Sequence, residues 1–201
     1  MEERDSPNTA ELLAAVKKGD QGACSALIDQ LYPAVIAIVR GHLPRNEHEE
    51  DLTQDIFLKV FSKLDQYNNS RPLSHWVSRI AMNTCYDALR KQKRRKVVTF
   101  SDLSLEDTDF LEFALEEEQS APPASRELTS ELLDKLFEGL KPQQQMVIRM
   151  LDLEEKTVAE VSELTGWGAS KIRVTAMRAR RKLEEILSRL EDQGIDETTK
   201  S

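Results

Sequence analysis

Trp76, Arg79, Asn83, Tyr86 and Arg90 follow one another at alternating intervals of three and four residues. That spacing brings side chains onto a single face of a helix. Aromatic rings, guanidinium groups and an amide on one face suit unpaired bases: the rings can stack, at about 1–3 kcal/mol per base, and the amide can hydrogen-bond a base edge. The face equally suits two half-buried aromatics beside a surface amide, and by itself it leaves both readings open. The cluster at 90–96, RKQKRRK, carries six positive charges. Such a helix end meets phosphates or water more often than it reads bases.

Residues 157–183 hold a second constellation. Thr157-Val-Ala-Glu160 is a capping box that opens a short helix, and Gly166 stands where a left-handed residue ends one. A longer basic helix follows, with Ser170, Lys171, Val174, Thr175, Arg178 and Arg181 set away from its apolar stripe. Helix, tight turn and basic helix is the helix-turn-helix pattern, whose second helix enters the DNA major groove. Arg and Lys neutralise phosphates and read guanine edges, while Thr and Val meet thymine methyls. An amphipathic hairpin with a solvated basic face has the same pattern.

Other chemistry is poorly supplied. His42, His48 and His75 fit no nucleophilic or metal-ligating arrangement; Cys85 lies on a core stripe and Cys24 begins an apolar helix, so both read as buried thiols. The two cysteines give neither a disulfide framework nor metal spacing. There is no Gly-rich phosphate loop. Eight carboxylates lie between Asp102 and Glu118, but no histidine accompanies them, which disfavours a metal site. No catalytic residue, metal or cofactor is expected, and a recombinase-type enzyme is disfavoured.

The elements that position these residues come from apolar period and charge distribution. The 201-residue chain has seven Gly and seven Pro, which favours helix over a loop-rich β fold. Its net charge is −8, yet the acidic segment 102–118 accounts for all of it, and residues 90–96 and 171–182 each carry six basic groups. Local fields steer binding, so the net charge leaves a nucleic-acid partner open. An all-α fold is expected: two small helical domains, 8–96 and 126–190, joined by a flexible acidic linker at 97–125. The second domain contains the helix-turn-helix. No apolar run of about 18 residues is expected to cross a membrane, and the N-terminus lacks the apolar core of a signal peptide. A cytoplasmic location and no membrane insertion follow as expectations.

Several stretches in order resemble a known family. DLTQDIFLKVF, HWVSRIAMNTCYDALRKQKRR, LKPQQQMVIRMLDLEEKTVAEVSELTG and SKIRVTAMRARRKL are similar to motifs of the extracytoplasmic-function (ECF) sigma factors, small two-domain initiation factors of bacterial RNA polymerase within the sigma-70 family. The resemblance runs from Glu11 to about Leu187, the linker excepted.

The resemblance implies a role for each position it covers. Asp51, Gln54, Asp55 and Phe57 fall on the helix that docks on core RNA polymerase, through its beta and beta-prime subunits, with Phe57 also suited to the core. Tyr67, Asn68, Asn69, Trp76, Arg79, Asn83, Tyr86, Arg90, Lys93 and Arg94 fall where relatives recognise and melt the promoter minus-ten element, the loop and Asn83 capturing a flipped base. Ser170, Lys171, Val174, Thr175, Arg178 and Arg181 fall on the minus-thirty-five reading helix. The acidic linker falls where relatives thread toward the active-site channel and RNA exit path, its acids imitating a phosphate backbone. Core polymerase, promoter DNA and an anti-sigma factor are the implied partners.

Four positions depart from the family pattern. Ser170-Lys171 stands for a common Gly-Thr, Thr175 for a frequent Arg, and Lys156 for a usual Gly. The resemblance therefore carries no promoter sequence. A stand-alone helix-turn-helix regulator is the alternative; it would need neither DLTQDIF nor the Trp76–Asn83 face.

Overall fold

The computed structural model describes residues 7–43, 49–95, 133 and 136–198. The acidic linker at 97–125 and His48 lie outside them. Among the described residues every regular element is helical. In order these are α1 (Pro7–Lys17), α2 (Gln21–His42), α3 (Glu49–Ser62), a 3-10 turn (Leu64–Gln66), α4 (Leu73–Arg95), α5 (Pro142–Ile148), α6 (Val158–Thr165) and α7 (Ala169–Thr198). The chain divides into two compact units: Met1–Leu89 with Ala159–Trp167, and Arg90–Val158 with Gly168–Ser201. Packing thus assigns α6 from Ala159 onward to the first unit, and the last turns of α4 to the second.

In the first unit, Gly19 takes φ +83° between α1 and α2, a conformation glycine adopts without a Cβ penalty. Asp20 then caps α2, its carboxylate accepting from the Ala23 N–H at 3.0 Å. Ala23, Leu27, Leu31, Val35 and Val39 are buried at four-residue intervals. Leu27, Val35, Val39, Ile56 and Val60 are wholly buried, each stabilising the unit by about 1.5–3 kcal/mol.

One expectation is corrected here. α2 has 22 residues and contains an 18-residue window of mean hydropathy 1.6, long and apolar enough to cross a membrane by length and composition. Its buried stripe is narrow, and exposed alanines raise the average on the other side. Asp29 and Arg40 also sit on exposed positions, so a packed core stripe accounts for the helix without a bilayer.

α4 buries a wider arc than the sequence stripe. Leu73, Val77, Ala81, Thr84 and Cys85 are buried as expected, and Met82 and Leu89 join them. Ile80 and Ala88 are only half-buried. The Thr84 hydroxyl donates to Ile80 O at 2.9 Å and accepts from Lys59 Nζ at 3.2 Å, tying α3 to α4 without an orphaned polar group.

In the second unit, Phe137, Leu140, Ile148 and Ala179 form one buried cluster, flanked by Leu183. Leu136 and Ile186 form another, with Leu133, Leu183 and Leu187 around them. Pro142 opens α5, where a missing N–H costs nothing, and Lys141 N–H donates to Gln144 Oε1 at 2.9 Å. A single π-helical turn, Arg149–Leu153, follows. It places the Arg149 guanidinium 4.5 Å from the centre of the Phe137 ring. Beyond it Glu155 takes φ +53°, uncommon for a residue with a side chain.

Candidate nucleic-acid interface

Tyr67 enters the loop before α4 as a brace. Only 7% of it is exposed. Its ring centre lies 5.4 Å from that of Trp76, tilted by 45°, and its hydroxyl donates to Arg71 O at 2.7 Å. Tyr67, expected on the DNA-binding surface, is here covered at its ring and engaged at its hydroxyl, and it supports the loop. Asn68 Oδ1 accepts from Ser70 N at 3.2 Å, and Asn69 takes φ +56°. Asn is among the residues that tolerate both arrangements, so the YNNSRP loop holds a defined turn.

The braced loop and the start of α4 enclose a cavity of about 380 Å³. Asn68, Ser70, Arg71, His75, Trp76 and Arg79 line it, with Tyr67 at the base and Ser162 and Glu163 of α6 on a further side. An aromatic wall with two guanidinium groups suits a flat, electron-rich ligand beside an anion. Arg71 Nη1 lies 2.8 Å from Glu163 Oε2, and His75 Nε2 lies 3.5 Å from the same oxygen. The hydrogen bond from Arg71 holds the Glu163 carboxyl below the usual carboxylate range, and the Arg71 charge with the neighbouring His75 adds to it.

Of the residues expected on this face, Asn68, Trp76 and Arg79 reach the cavity. Asn83 stands exposed further along α4, its Nδ2 donating to Arg79 O at 2.8 Å. Tyr86 is half-buried, and its ring meets Trp167 edge-on with centres 5.2 Å apart. Arg90 and Arg94 are exposed. Lys93 is not disposed toward solvent in the same way: its Nζ donates to Glu138 O at 2.6 Å and Leu140 O at 3.2 Å. Burial lowers the Lys93 pKa, against the opposing charge of Glu138. In this state Lys93 Nζ is thus engaged by the 136–140 turn and not by solvent, unlike its expected phosphate-binding neighbours.

On α3, Asp51, Gln54 and Asp55 are exposed on one face, whereas Phe57 is 8% exposed and belongs to the core. Sequence reasoning missed Leu58, which is 68% exposed on the face that carries the acids. The signal was available: Leu58 lies off the Ile56–Val60 stripe and one turn beyond Gln54.

Along α7, Ser170, Lys171, Val174, Arg178 and Arg181 are exposed and Thr175 is half-buried. Arg173 and Met177, which sequence reasoning also passed over, are exposed too. The basic count of the helix overstates its free charge. Arg180 pairs with Asp152 through Nη2–Oδ1 at 2.6 Å and Nε–Oδ2 at 3.0 Å, and Lys182 lies 3.2 Å from Glu185. The turn into α7 is built locally: Gly166 takes φ +74°, Trp167 N–H donates to Thr165 Oγ1 at 3.1 Å, and Ser162 Oγ donates to Trp167 O at 2.7 Å.

The sigma-70 region 2 family matches residues 27–95, and the sigma-70 region 4 family matches residues 130–183. Together they take in well over half of the chain. The ECF RNA polymerase sigma-E factor of Escherichia coli strain K12 is 26% identical over 176 residues, covering 86% of this chain and 91% of its own. The chain is an ECF sigma factor of the sigma-70 family. RNA polymerase sigma factor YlaC of Bacillus subtilis is likewise 26% identical, over 167 residues, covering 81% of this chain and 92% of the relative. A solved structure of CnrH in complex with the cytosolic domain of CnrY aligns with a TM-score of 0.49 and 20% identity, over 88% of this chain and 95% of that one.

Membership makes the chain a promoter-specific initiation factor that works with RNA polymerase. A region 2 match ending at residue 95 spans α3, the braced loop and α4. A stand-alone helix-turn-helix regulator has no use for that block, so membership decides between the two readings.

Proposed function

We propose that this sigma factor reads the minus-ten element with α4 and the loop before it, and the minus-thirty-five element with α7. The observation that carries the first half is the cavity of about 380 Å³ bounded by Trp76, Arg71, His75 and Arg79. Its size lies at the low end of the roughly 300–1,000 Å³ of small-ligand sites. An extruded base stacks on Trp76, and the guanidinium groups meet the adjoining phosphates. Flipping a base costs a few kcal/mol, and holding it there turns that cost into sequence-selective melting. Asn83, Arg90 and Arg94 continue the track along α4.

α7 anchors upstream. Lys171, Arg178 and Arg181 take phosphates or guanine edges, and Ser170, Val174 and Thr175 meet neighbouring edges in the major groove. Asp51, Gln54 and Asp55 of α3 dock on the beta and beta-prime subunits of core polymerase. Two weak DNA contacts on one tethered chain gain through effective concentration what neither has alone. The domain limits 8–96 and 126–190, the acidic strap between them, an anti-sigma partner and a cytoplasmic location belong to the same reading.

Promoter-dependent run-off transcription with core polymerase tests the proposal. Transcripts are expected with the native chain and are expected to be lost with Trp76→Ala combined with Asn83→Ala. Full promoter opening by that double variant would sink the minus-ten assignment.

A further inference from the structure

Four residues of the α4 face and its loop are met by one short segment packed in the same unit, residues 162–167. Glu163 lies 2.8 Å from Arg71 and 3.5 Å from His75 at the cavity rim. The backbone at Gly166 lies against Arg79: a Cβ there would stand 2.8 Å from Arg79 Nη2. The Trp167 ring meets Tyr86 edge-on at 5.2 Å. In sequence this segment falls inside the region 4 match, so nothing in its own family assignment requires it to cover the residues of region 2.

We propose that residues 162–167 act as a plug over the single-strand-reading face, with the Glu163 carboxylate occupying the place of a nucleic-acid phosphate between Arg71 and His75. This rests on the base-capture reading of the cavity. The chemistry matches part for part. An anion sits between a guanidinium and an imidazole, an aromatic ring meets an aromatic ring, and a residue without a side chain admits a guanidinium. In this state the unpaired strand and the plug compete for the same groups.

The plug is shallow. The Arg71 and Glu163 side chains are 53% and 44% exposed, and exposed ion pairs contribute little. A weak closure holds back stray single strands yet yields to a promoter strand delivered by polymerase. A deeply buried pair would block both.

The test uses the full chain without polymerase and a short fluorescein-labelled single-stranded deoxyoligonucleotide of mixed sequence. By fluorescence anisotropy at low salt, Glu163→Gln should bind it about two- to fivefold more tightly, the range an exposed ion pair can supply. Glu184→Gln makes the same charge change on α7 and should leave the affinity as it was. Amide hydrogen exchange should rise across residues 159–167 in Glu163→Gln alone. No change in affinity with Glu163→Gln, or equal tightening by both variants, overturns the plug. Trp76→Ala in the polymerase-bound chain tests the underlying reading separately. Undiminished promoter opening there removes base capture, and with it the plug's role, whatever Glu163→Gln does.

Discussion

Tyr67 and Trp76 lie with ring centres 5.4 Å apart while the Tyr67 hydroxyl donates to Arg71 O at 2.7 Å. One side chain therefore fixes both the aromatic wall of the cavity and the loop that supplies its guanidinium group. Tyr67→Phe keeps the ring contact and removes the hydrogen bond. The loss should cost about 0.5–1.5 kcal/mol of unfolding free energy, read by urea denaturation. Open-complex formation should weaken while core affinity stays the same. An equal fall in core affinity would show a global fault and remove Tyr67 from the loop argument.

Lys93 and Arg94 are neighbours in a basic cluster with opposite duties. Lys93 Nζ serves two carbonyls, Glu138 O and Leu140 O, whereas Arg94 is exposed. Lys93→Met leaves those acceptors poorly satisfied and should destabilise the fold by about 1–3 kcal/mol. Arg94→Ala should leave stability within about 0.5 kcal/mol and lower the salt slope of promoter binding by about one. Reversed effects would return Lys93 to the phosphate contacts.

That contrast shows where a sequence stops being readable. The α4 stripe Leu73, Val77, Ala81 and Cys85 is legible because helical period is local. Lys93 is not, because its acceptors lie 45 and 47 residues away. Tyr67 is hard to place for a related reason: in the polar stretch YNNSRP an aromatic reads as exposed, whereas its contacts with the Arg71 carbonyl and the Trp76 ring are tertiary. The α7 charges read as six equivalents, yet Asp152 holds Arg180 from a π-helical turn that no periodicity announces. The contact of residues 162–167 with the cavity was equally hidden, since it joins stretches whose motifs are separate in sequence.

Leu58 is an exposed apolar residue on the α3 face that carries Asp51, Gln54 and Asp55. An apolar side chain left in water beside these polar residues gains by burial against a partner. Leu58→Asp should weaken binding to core polymerase by about tenfold, about 1.4 kcal/mol, with little change in melting temperature because most of the side chain is exposed at home. Core affinity equal to the native chain's would remove Leu58 from the docking face.

Cys85 is wholly buried, and burial pushes its thiol up to about 12 from an ordinary value near 9. The folded state thus holds this proton more tightly than the unfolded state does. The associated stability is complete below about pH 9 and declines as pH rises from there toward 12. A thiol reagent at neutral pH should label Cys24 first, and Cys85 only after unfolding. Rapid native labelling of Cys85 would contradict its place in the core.

Arg178 and Arg180 sit two residues apart on α7, yet Asp152 engages only Arg180 among the contacts described. The pairing occupies one guanidinium edge, Nε and Nη2, which a phosphate would also use, and the Asp152 hydrogen bond holds the Arg180 pKa above its ordinary value. Arg178→Ala should therefore weaken upstream DNA binding and lower its salt slope by about one, with stability unchanged. Arg180→Ala should leave the slope nearly intact and cost about 0.2–1 kcal/mol of stability, the range for an exposed pair. Met177→Ala, by contrast, removes an apolar side chain that is 63% exposed beside them. It should alter preference at a thymine position without touching the slope, since a methyl contact releases no counterions. A slope that falls equally for Arg178 and Arg180 would mean that Asp152 releases its partner when DNA binds.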